Sequence, residues 1–269
     1  MSTLAVDNIT DSGGSELLGR RNAIINGNFG VNQRGVSGTV SLSAGEYGHD
    51  RWKAGASGCT YTFSTTEGVT TIDISAGSLI QVIEDVNLVT DTYVLSWEGT
   101  AQGKIGAGSY GDSGVTGSVT GGSNLNIEFD TGTVSRVQFE RGNKPTPFEH
   151  RSYGEELALC QRYFYRWDGT SYQAGGFAGM NHLSTLGFCS VPFPTTMRST
   201  PSLATVDHTK FQLLQGSGAL TPTAITLLDS NITEASLSIN GTGMNAGNGI
   251  MLWPNASPPF GTLEFSSEL

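Results

Sequence analysis

Apolar and polar residues alternate with a period of two along most of this 269-residue chain. Clear examples are the stretches Tyr61–Phe63, Tyr93–Trp97 and Leu125–Phe129, and turn-forming Gly, Asn and Asp residues separate such stretches. This alternation is typical of antiparallel strands that bury one face and expose the other. The pattern therefore predicts an all-β chain whose strands are joined by turns.

The alternating stretches fall into two regions, and each predicts a jelly-roll-like antiparallel β-sandwich. The first region is 22–142, in which the Gly/Ser-rich part 103–123 is either a long loop or two weak strands. The second region, 168–269, predicts a smaller sandwich. There Pro258 and Pro259 should keep the last strand at a sheet edge, because proline cannot donate to a ladder.

Between these regions, residues 143–167 predict a linker and a single short α-helix, from Tyr153 to about Tyr165. Acidic residues fall in its first turn and arginines in its last, as the helix dipole favours. The apolar stripe of this helix consists of Leu157, Cys160, Gln161 and Phe164. The stripe either packs on the chain's own domain or meets two copies of itself around a three-fold axis. We expect the second arrangement, a homotrimer.

The first 21 residues are too few and too polar to form a core of their own. Their short apolar stripe consists of Leu4, Val6 and Ile9. We expect residues 1–21 to be an arm that docks on another protein, and a frayed terminus is the alternative. A basic start followed by an apolar stretch is missing, so we expect no secretory signal peptide.

Charge and cysteine content exclude several classes of function. The formal net charge is −10, so the chain should repel nucleic acid and acidic membranes. No apolar stretch approaches the roughly 18 residues of a membrane-spanning helix, so we expect no membrane insertion. The cysteines are Cys59, Cys160 and Cys189, an odd number at wide spacing. They predict buried free thiols of a protein made in a reducing cytoplasm, and neither a disulfide framework nor a metal site.

The sequence offers no pattern for catalysis. A glycosidase needs two carboxylates in one cleft, and the acidic residues here fall in predicted loops and strand edges without a second acidic motif. The four histidines are scattered, and the serine-elbow and zinc-helix motifs of hydrolases are missing. We therefore expect no enzymatic activity and no cofactor.

Several segments resemble a module of phage and prophage tail-fibre proteins. The segments before the predicted helix are Asn26–Phe29, Asn32–Gly35, His49–Trp52 and Val137–Glu140. The most specific one is 145–164, PTPFEHRSYGEELALCQRYF, because it matches many uncommon residues in order. Residues 192–202 are similar to the start of the fibre tip domain, and Leu4–Ile9 resembles the attachment arm of some fibre and collar proteins.

The resemblance implies a carbohydrate-binding-module-like jelly roll at 22–142, a trimerising helix, and a receptor-binding tip domain at 168–269. It also implies trimers that attach by the N-terminal end to a phage baseplate or tail protein. We therefore predict a non-catalytic subunit of the virion, made in the host cytoplasm, that holds a host surface polysaccharide or lipopolysaccharide. The alternatives are a connector subunit of the collar or baseplate that does not touch the host, and a free lectin or glycan-active enzyme.

Sugar binding needs flat apolar surfaces for C–H groups and planar polar groups for hydroxyls. Loops of the second region offer such mixtures. The candidate glycan-binding residues are Trp167, Asp168, Tyr172, Gln173, Asn181, His182, Asn248, Trp253 and Asn255. Trp167 could instead cap the helix stripe, and Trp253 could be a core residue.

Two further segments have a structural interpretation and a functional one. In the segment 49–52, Asp50 and Arg51 are expected to form a buried ion pair, with Trp52 in the core. The segment 148–151 is expected to order the turn between the two regions. Either could instead contribute to a binding site.

Overall fold

A computed structural model of the protein describes residues 21–169, 176–216, 218–255 and 258–269. Within it the chain divides into two compact units, an N-terminal unit that ends at Leu157 and a C-terminal unit, Ala158–Glu268. The predicted arm residues and two predicted sugar-site residues lie outside the described residues, namely Leu4, Val6, Ile9, Tyr172 and Gln173.

The N-terminal unit is an antiparallel sheet of eight strands. The strands are β1 (Val40–Leu42), β2 (Trp52–Thr66), β3 (Val69–Ile83), β4 (Asp91–Gly99), β5 (Gly103–Ile105), β6 (Val115–Val119), β7 (Leu125–Phe129) and β8 (Gly132–Arg141). The main path is β1-β2-β3-β8-β4-β6, while β7 pairs with both β3 and β5. Strands β5 and β6 show that 103–123 contains two short strands, one of the two alternatives that the sequence left open.

The long strand β3 gives this unit its two layers. Its first half pairs with β8 and its second half with β7, so two branches of the sheet leave it and fold over each other. Between them, Trp97 of β4 packs on Phe129 of β7, with ring centroids 5.0 Å apart. The β2–β3 ribbon bends at Gly77, whose φ is 73° and where a side chain would collide with the backbone of Gly58.

The helix α1, Tyr153–Gln161, begins where the sequence predicts and ends earlier. Ser152 and Glu155 bond each other's backbone N–H groups, which fixes the first turn as a capping box. The chain leaves the helix after Gln161, and Phe164 already opens a strand. The expectation that Phe164 belongs to a trimerising helix is therefore wrong.

The predicted trimer stripe also fails on burial. Cys160 is completely buried and Phe164 is 5% exposed within a single chain, so neither is free to meet two sister copies. Leu157 and Gln161 are only partly buried. The stripe was inferred from helical spacing, but Phe164 obtains its apolar neighbours as a strand residue of the C-terminal unit.

The C-terminal unit consists of two antiparallel sheets. Its strands are β9 (Phe164–Asp168), β10 (Phe177–Asn181), β11 (Leu186–Pro192), β12 (Ser202–Leu203), β13 (Phe211–Gln215), β14 (Gly218–Leu220), β15 (Ala224–Ser230), β16 (Glu234–Asn240), β17 (Gly249–Pro254) and β18 (Thr262–Ser266). Seven strands follow the order β14-β13-β17-β10-β11-β16-β15, and the other three follow β12-β18-β9. The second β region thus begins at residue 164, inside the range that the sequence assigned to the linker and helix.

The two sheets of this unit enclose one apolar core. Phe211, Leu237 and Leu252 come from the seven-stranded sheet, and Leu263 and Phe265 come from β18. Strand β18 lies in the middle of its sheet, so the expectation of an edge strand after Pro258 and Pro259 is wrong. Both prolines precede the strand, and they therefore leave its N–H groups free to pair.

The fold class predicted from the sequence is confirmed: antiparallel sheets dominate, with one short α-helix. Among the described residues, no helix has the length and apolar character needed to cross a membrane.

Candidate binding site in the C-terminal unit

Several loops that connect the strands of the seven-stranded sheet lie together at one end of that sheet. Asn181 at the end of β10 pairs with Gly187 near the start of β11, and Met180 pairs with Gly249 at the start of β17. The turn that follows Gln215 of β13 is at the same end. We call residues 181–185, 215 and 240–248 the loop platform.

Backbone hydrogen bonds tie the loops of the platform to one another. The Asn181 N–H donates to the Asn248 carbonyl at 2.9 Å, and the Gly247 N–H donates to the Asn181 carbonyl at 2.8 Å. The Gly241 N–H donates to the Thr185 carbonyl at 3.1 Å. Since these bonds join segments far apart in sequence, the platform is held as one surface instead of as separate loops.

Two side chains support this surface from below. Asn181 is completely buried, and its Nδ2 donates to Oε1 of Gln215 at 2.6 Å. The same Oε1 accepts from the Asn245 N–H at 3.0 Å, while Gln215 Nε2 donates to the Gly243 carbonyl at 2.7 Å. Asn181 was predicted to contact sugar, and that prediction is wrong, because a fully buried amide cannot reach a ligand. It positions the loops that can.

The exposed side chains of the platform and of the strand beside it are amides and apolar groups. Asn245 and Asn248 are exposed, and Asn248 is one of the residues that the sequence analysis proposed for binding hydroxyls. His182 is also exposed, and its ring centroid lies 5.7 Å from that of Phe188. Met180 and Leu183 are about half exposed, at 52% and 50%. Planar amides next to apolar surface are the combination that sugar recognition requires.

No sequence pattern marks Met180, Leu183 or Gln215 as part of a site. Methionine and leucine at such positions are expected in a core, and a lone glutamine carries no motif. The detectable signal was the Gly- and Asn-rich stretch 240–249, which marked a loop but not its neighbours.

The remaining predicted residues lie away from the platform. Trp167 packs between Phe177 and Phe211, with ring centroids 4.9 Å and 6.2 Å away. Phe177 is at the opposite end of β10 from Asn181. Trp167 is partly buried, and it lies at the end of the sheet opposite the platform, so its contact with a sugar stays a prediction separate from the platform. Asp168 is exposed and accepts from Arg166 Nε at 2.8 Å.

Trp253 and Asn255 also belong to the end of the sheet opposite the platform. Asn255 Oδ1 accepts from Gln212 Nε2 at 2.8 Å, and its backbone N–H donates to the Lys210 carbonyl at 2.7 Å. Trp253 is partly buried and packs so closely on Gly176 that a side chain there would collide with its ring. The predicted residues that the structure describes are thus divided between two ends of a sheet, and Asn181, His182 and Asn248 come together.

In the N-terminal unit, the segment 49–52 forms a buried polar network. Asp50 is completely buried and accepts from the Gln33 N–H at 2.6 Å and from Gln33 Nε2 at 2.7 Å, and Arg34 lies 3.8 Å away. Trp52 is also completely buried, and its indole N–H donates to the Asn26 carbonyl. Trp52 therefore lies in the core, as predicted. Arg51 Nη2 donates to the Val82 carbonyl at 2.7 Å, and the ion pair between Asp50 and Arg51 stays a prediction.

The segment 148–151 orders the start of the described chain. Glu149 Oε2 accepts from the backbone N–H groups of Arg21 and Asn22, at 2.8 Å and 2.7 Å. Arg151 Nη1 donates to the Ile24 carbonyl at 2.8 Å. The segment thus ties residues 21–24 to the stretch that follows β8, and its role in the turn between the two regions stays a prediction.

Burial favours the neutral form of three side chains, His49, Cys59 and Cys189. Burial lowers the pKa of His49 to about 4, and it raises the pKa of the Cys59 thiol to about 11 and that of Cys189 to about 12. None of these side chains is poised as a base or nucleophile near neutral pH. In the part of the chain that the structure describes, no group of three His, Cys, Asp or Glu residues could hold a metal ion.

No protein-family model matches this chain, and no curated protein matches it at a significant level. The candidate site is thus defined by its geometry: a fixed loop surface with exposed amides, next to exposed apolar side chains.

Proposed function

We propose that this chain is a non-catalytic, receptor-binding subunit of a phage tail fibre that attaches the virion to a host surface glycan through the loop platform. The resemblance of 145–164 to tail-fibre modules supports the phage assignment. The geometry of the platform supports the binding role. Residues 1–21 would dock on a baseplate or tail protein of the virion.

The observation that carries the binding role is the fixed backbone beneath exposed amides. Asn245 and Asn248 present both donors and acceptors, and the backbone around them is tied down through Asn181 and Gln215. A surface that is already ordered loses little conformational entropy when a ligand binds. Such a surface can hold a sugar with few contacts, without any catalytic group.

We propose that the subunit acts as a homotrimer. The platform offers two exposed amides and a small apolar surface, so a single copy should bind weakly. Three linked copies raise the overall affinity by about 10² to 10⁴ over one site. Several weak sites that act together suit a fibre that binds a cell surface reversibly before the virion attaches stably.

The chemical nature of the receptor tests this proposal. Fluorescently labelled full-length chain is incubated with a panel of bacterial strains, and retention on cells is measured by flow cytometry. Strains that retain the protein are then treated either with periodate, which cleaves vicinal diols of sugars, or with a protease.

We expect retention on at least one strain, its loss after periodate, and its persistence after protease. Retention lost only after protease would contradict a glycan receptor. Absence of retention on every strain would contradict host binding and favour the connector subunit, which does not touch the host.

A further inference from the structure

Charged residues in the sequence between 176 and 255 are distributed unevenly over the seven-stranded sheet and its connections. These charged residues are Arg198, Asp207, Lys210, Asp229 and Glu234. Glu234 pairs with Pro192, and Asp229 pairs with Ser236, at the end of β16 that is far from Asn240. Acidic side chains of this sheet thus gather at the end opposite the platform.

The basic residues follow the same distribution. The Lys210 carbonyl accepts from Asn255, and the next residue, Phe211, pairs with Pro254 at the far end of β17. Asp207 belongs to the same turn, since its carbonyl accepts from the Lys210 N–H. Arg198 donates to the Ser267 carbonyl. The N–H of Met197 donates to the carbonyl of Ile232 in the turn between β15 and β16, which places Arg198 near that turn.

The platform, by contrast, has no charged side chain. Residues 181–185, 215 and 240–248 contain no Asp, Glu, Lys or Arg, although the whole chain carries a formal charge of −10. Asparagine, glycine, serine and threonine take their place. The platform therefore has no charged side chain of its own that would attract or repel an ionic ligand.

This distribution restricts the ligand, because a charged group that leaves water needs an opposite charge to replace its hydration. A uronic acid, sialic acid or phosphorylated sugar would find no Lys or Arg on the platform. A cationic amino sugar would find no carboxylate. We infer that the platform binds an uncharged glycan, whose hydroxyl and acetamido groups pair with the amides of Asn245 and Asn248. This inference rests on the proposed function and names the class of its receptor.

The apolar groups beside the amides fit the same ligand. A neutral pyranose has one face of C–H groups, and an acetamido group ends in a methyl. Met180 and Leu183 are about half exposed beside the platform and can cover such groups. Burial of this apolar surface does not depend on ionic strength, and neither do hydrogen bonds between neutral partners.

The inference is tested with an array of immobilised glycans that includes neutral hexoses, N-acetylhexosamines, uronic acids, sialic acids and phosphorylated sugars. The full-length chain is applied at pH 8, where an ordinary histidine is uncharged, in 50 mM and in 500 mM NaCl, taken as about a tenfold span of ionic strength. The variants are Asn245→Asp and Asn248→Asp. The control is Asn126→Asp, the same change at an exposed residue of β7 in the N-terminal unit.

We expect binding to neutral glycans that is equal in the two salt concentrations. Each platform variant should bind about tenfold more weakly, since an amide donor is lost and a charge is introduced, and Asn126→Asp should bind as the unaltered chain does. Binding only to acidic glycans, or binding lost in 500 mM NaCl, would overturn the inference while leaving glycan attachment intact. Cell retention that resists periodate, with no glycan bound on the array, would overturn the proposed function itself. Neutral-glycan binding that all three variants share would place the site elsewhere and overturn the inference.

Discussion

Single buried polar side chains fix much of the local geometry in both units. Asp50 holds Gln33 by two hydrogen bonds, and Asn181 joins Gln215 to the end of β10. A buried polar group without a partner costs about 1–3 kcal/mol, so each of these side chains specifies one arrangement of its surroundings. The side chains that fix the local geometry, Asp50 and Asn181, are thus themselves completely buried.

His49 makes the N-terminal unit sensitive to acid. Its side chain is 2% exposed and packs among aromatic side chains, with its ring centroid 4.5 Å from that of Phe63. Its Nδ1 lies 3.0 Å from the Tyr61 hydroxyl oxygen. Because burial lowers its pKa from 6.5 to about 4, the unfolded chain binds the proton more readily than the folded one. The free energy of unfolding should therefore be at its full value above pH 6.5. It should fall as the pH drops toward 4, by roughly 3 kcal/mol in total.

The variant His49→Gln keeps a hydrogen-bonding partner for Tyr61 and removes the titration. Thermal unfolding followed between pH 7 and pH 4 should show a shallower loss of stability in this variant than in the unaltered chain. His150→Gln, at an exposed histidine, is the control and should follow the unaltered chain. Equal slopes for all three proteins would show that His49 titrates normally in the folded state.

At the scale of elements, the loop platform depends on the last residue of β13. Removal of the Gln215 side chain leaves the Asn181 amide without the acceptor at 2.6 Å, and Asn181 Oδ1 already has no hydrogen-bond partner among the described residues. Gln215→Ala should therefore release the loop 241–248 and destabilise the unit by about 2 kcal/mol. Amide hydrogen exchange across 241–248 should speed up.

Gln212→Ala is the matched control, because Gln212 lies on the same strand and bonds Asn255 at the opposite end. It should leave exchange in 241–248 unchanged. If both variants accelerate exchange in that loop equally, the role of Gln215 is no more than that of any β13 side chain.

Most strands could be predicted because period-two alternation reports burial on one face directly. The pairs Leu237 and Ile239, or Ile250 and Leu252, are completely or nearly completely buried, as the alternation requires. Phe164 was assigned to a helix because its spacing from Leu157 fits a helical period. Spacing cannot show that the chain turns after Gln161, since that depends on pairing with β18, about 100 residues later.

The binding site was predictable only in part, for a related reason. Composition marked Asn181, His182 and Asn248 as polar loop residues, and strand pairing brings them together. The same composition also marked Trp167 and Trp253, which lie at the far end of the sheet. Which ends of strands meet is set by sheet order, and a single sequence does not contain that order in any local pattern.

At the scale of the whole molecule, the proposed trimer has a direct test. Light scattering on a sizing column, in about 150 mM salt so that repulsion between acidic copies is screened, should give three times the chain mass of 28.3 kDa. A mass of 28.3 kDa would contradict the homotrimer and the avidity argued from it, and would leave the platform as a single weak site.

The platform is proposed to be the surface by which the whole molecule holds the host. Its most direct test compares retention on a receptive strain of the unaltered chain, the double variant Asn245→Ala with Asn248→Ala, and the control Asn126→Ala. Both exposed amides are replaced without change to the backbone bonds below them, so the fold should persist, which thermal unfolding checks. We predict that the double variant loses at least about 90% of retention, corresponding to about 1.4 kcal/mol or more of the overall binding free energy, while the control retains all of it. Full retention by a folded double variant would contradict the account and place the host contact elsewhere on the chain.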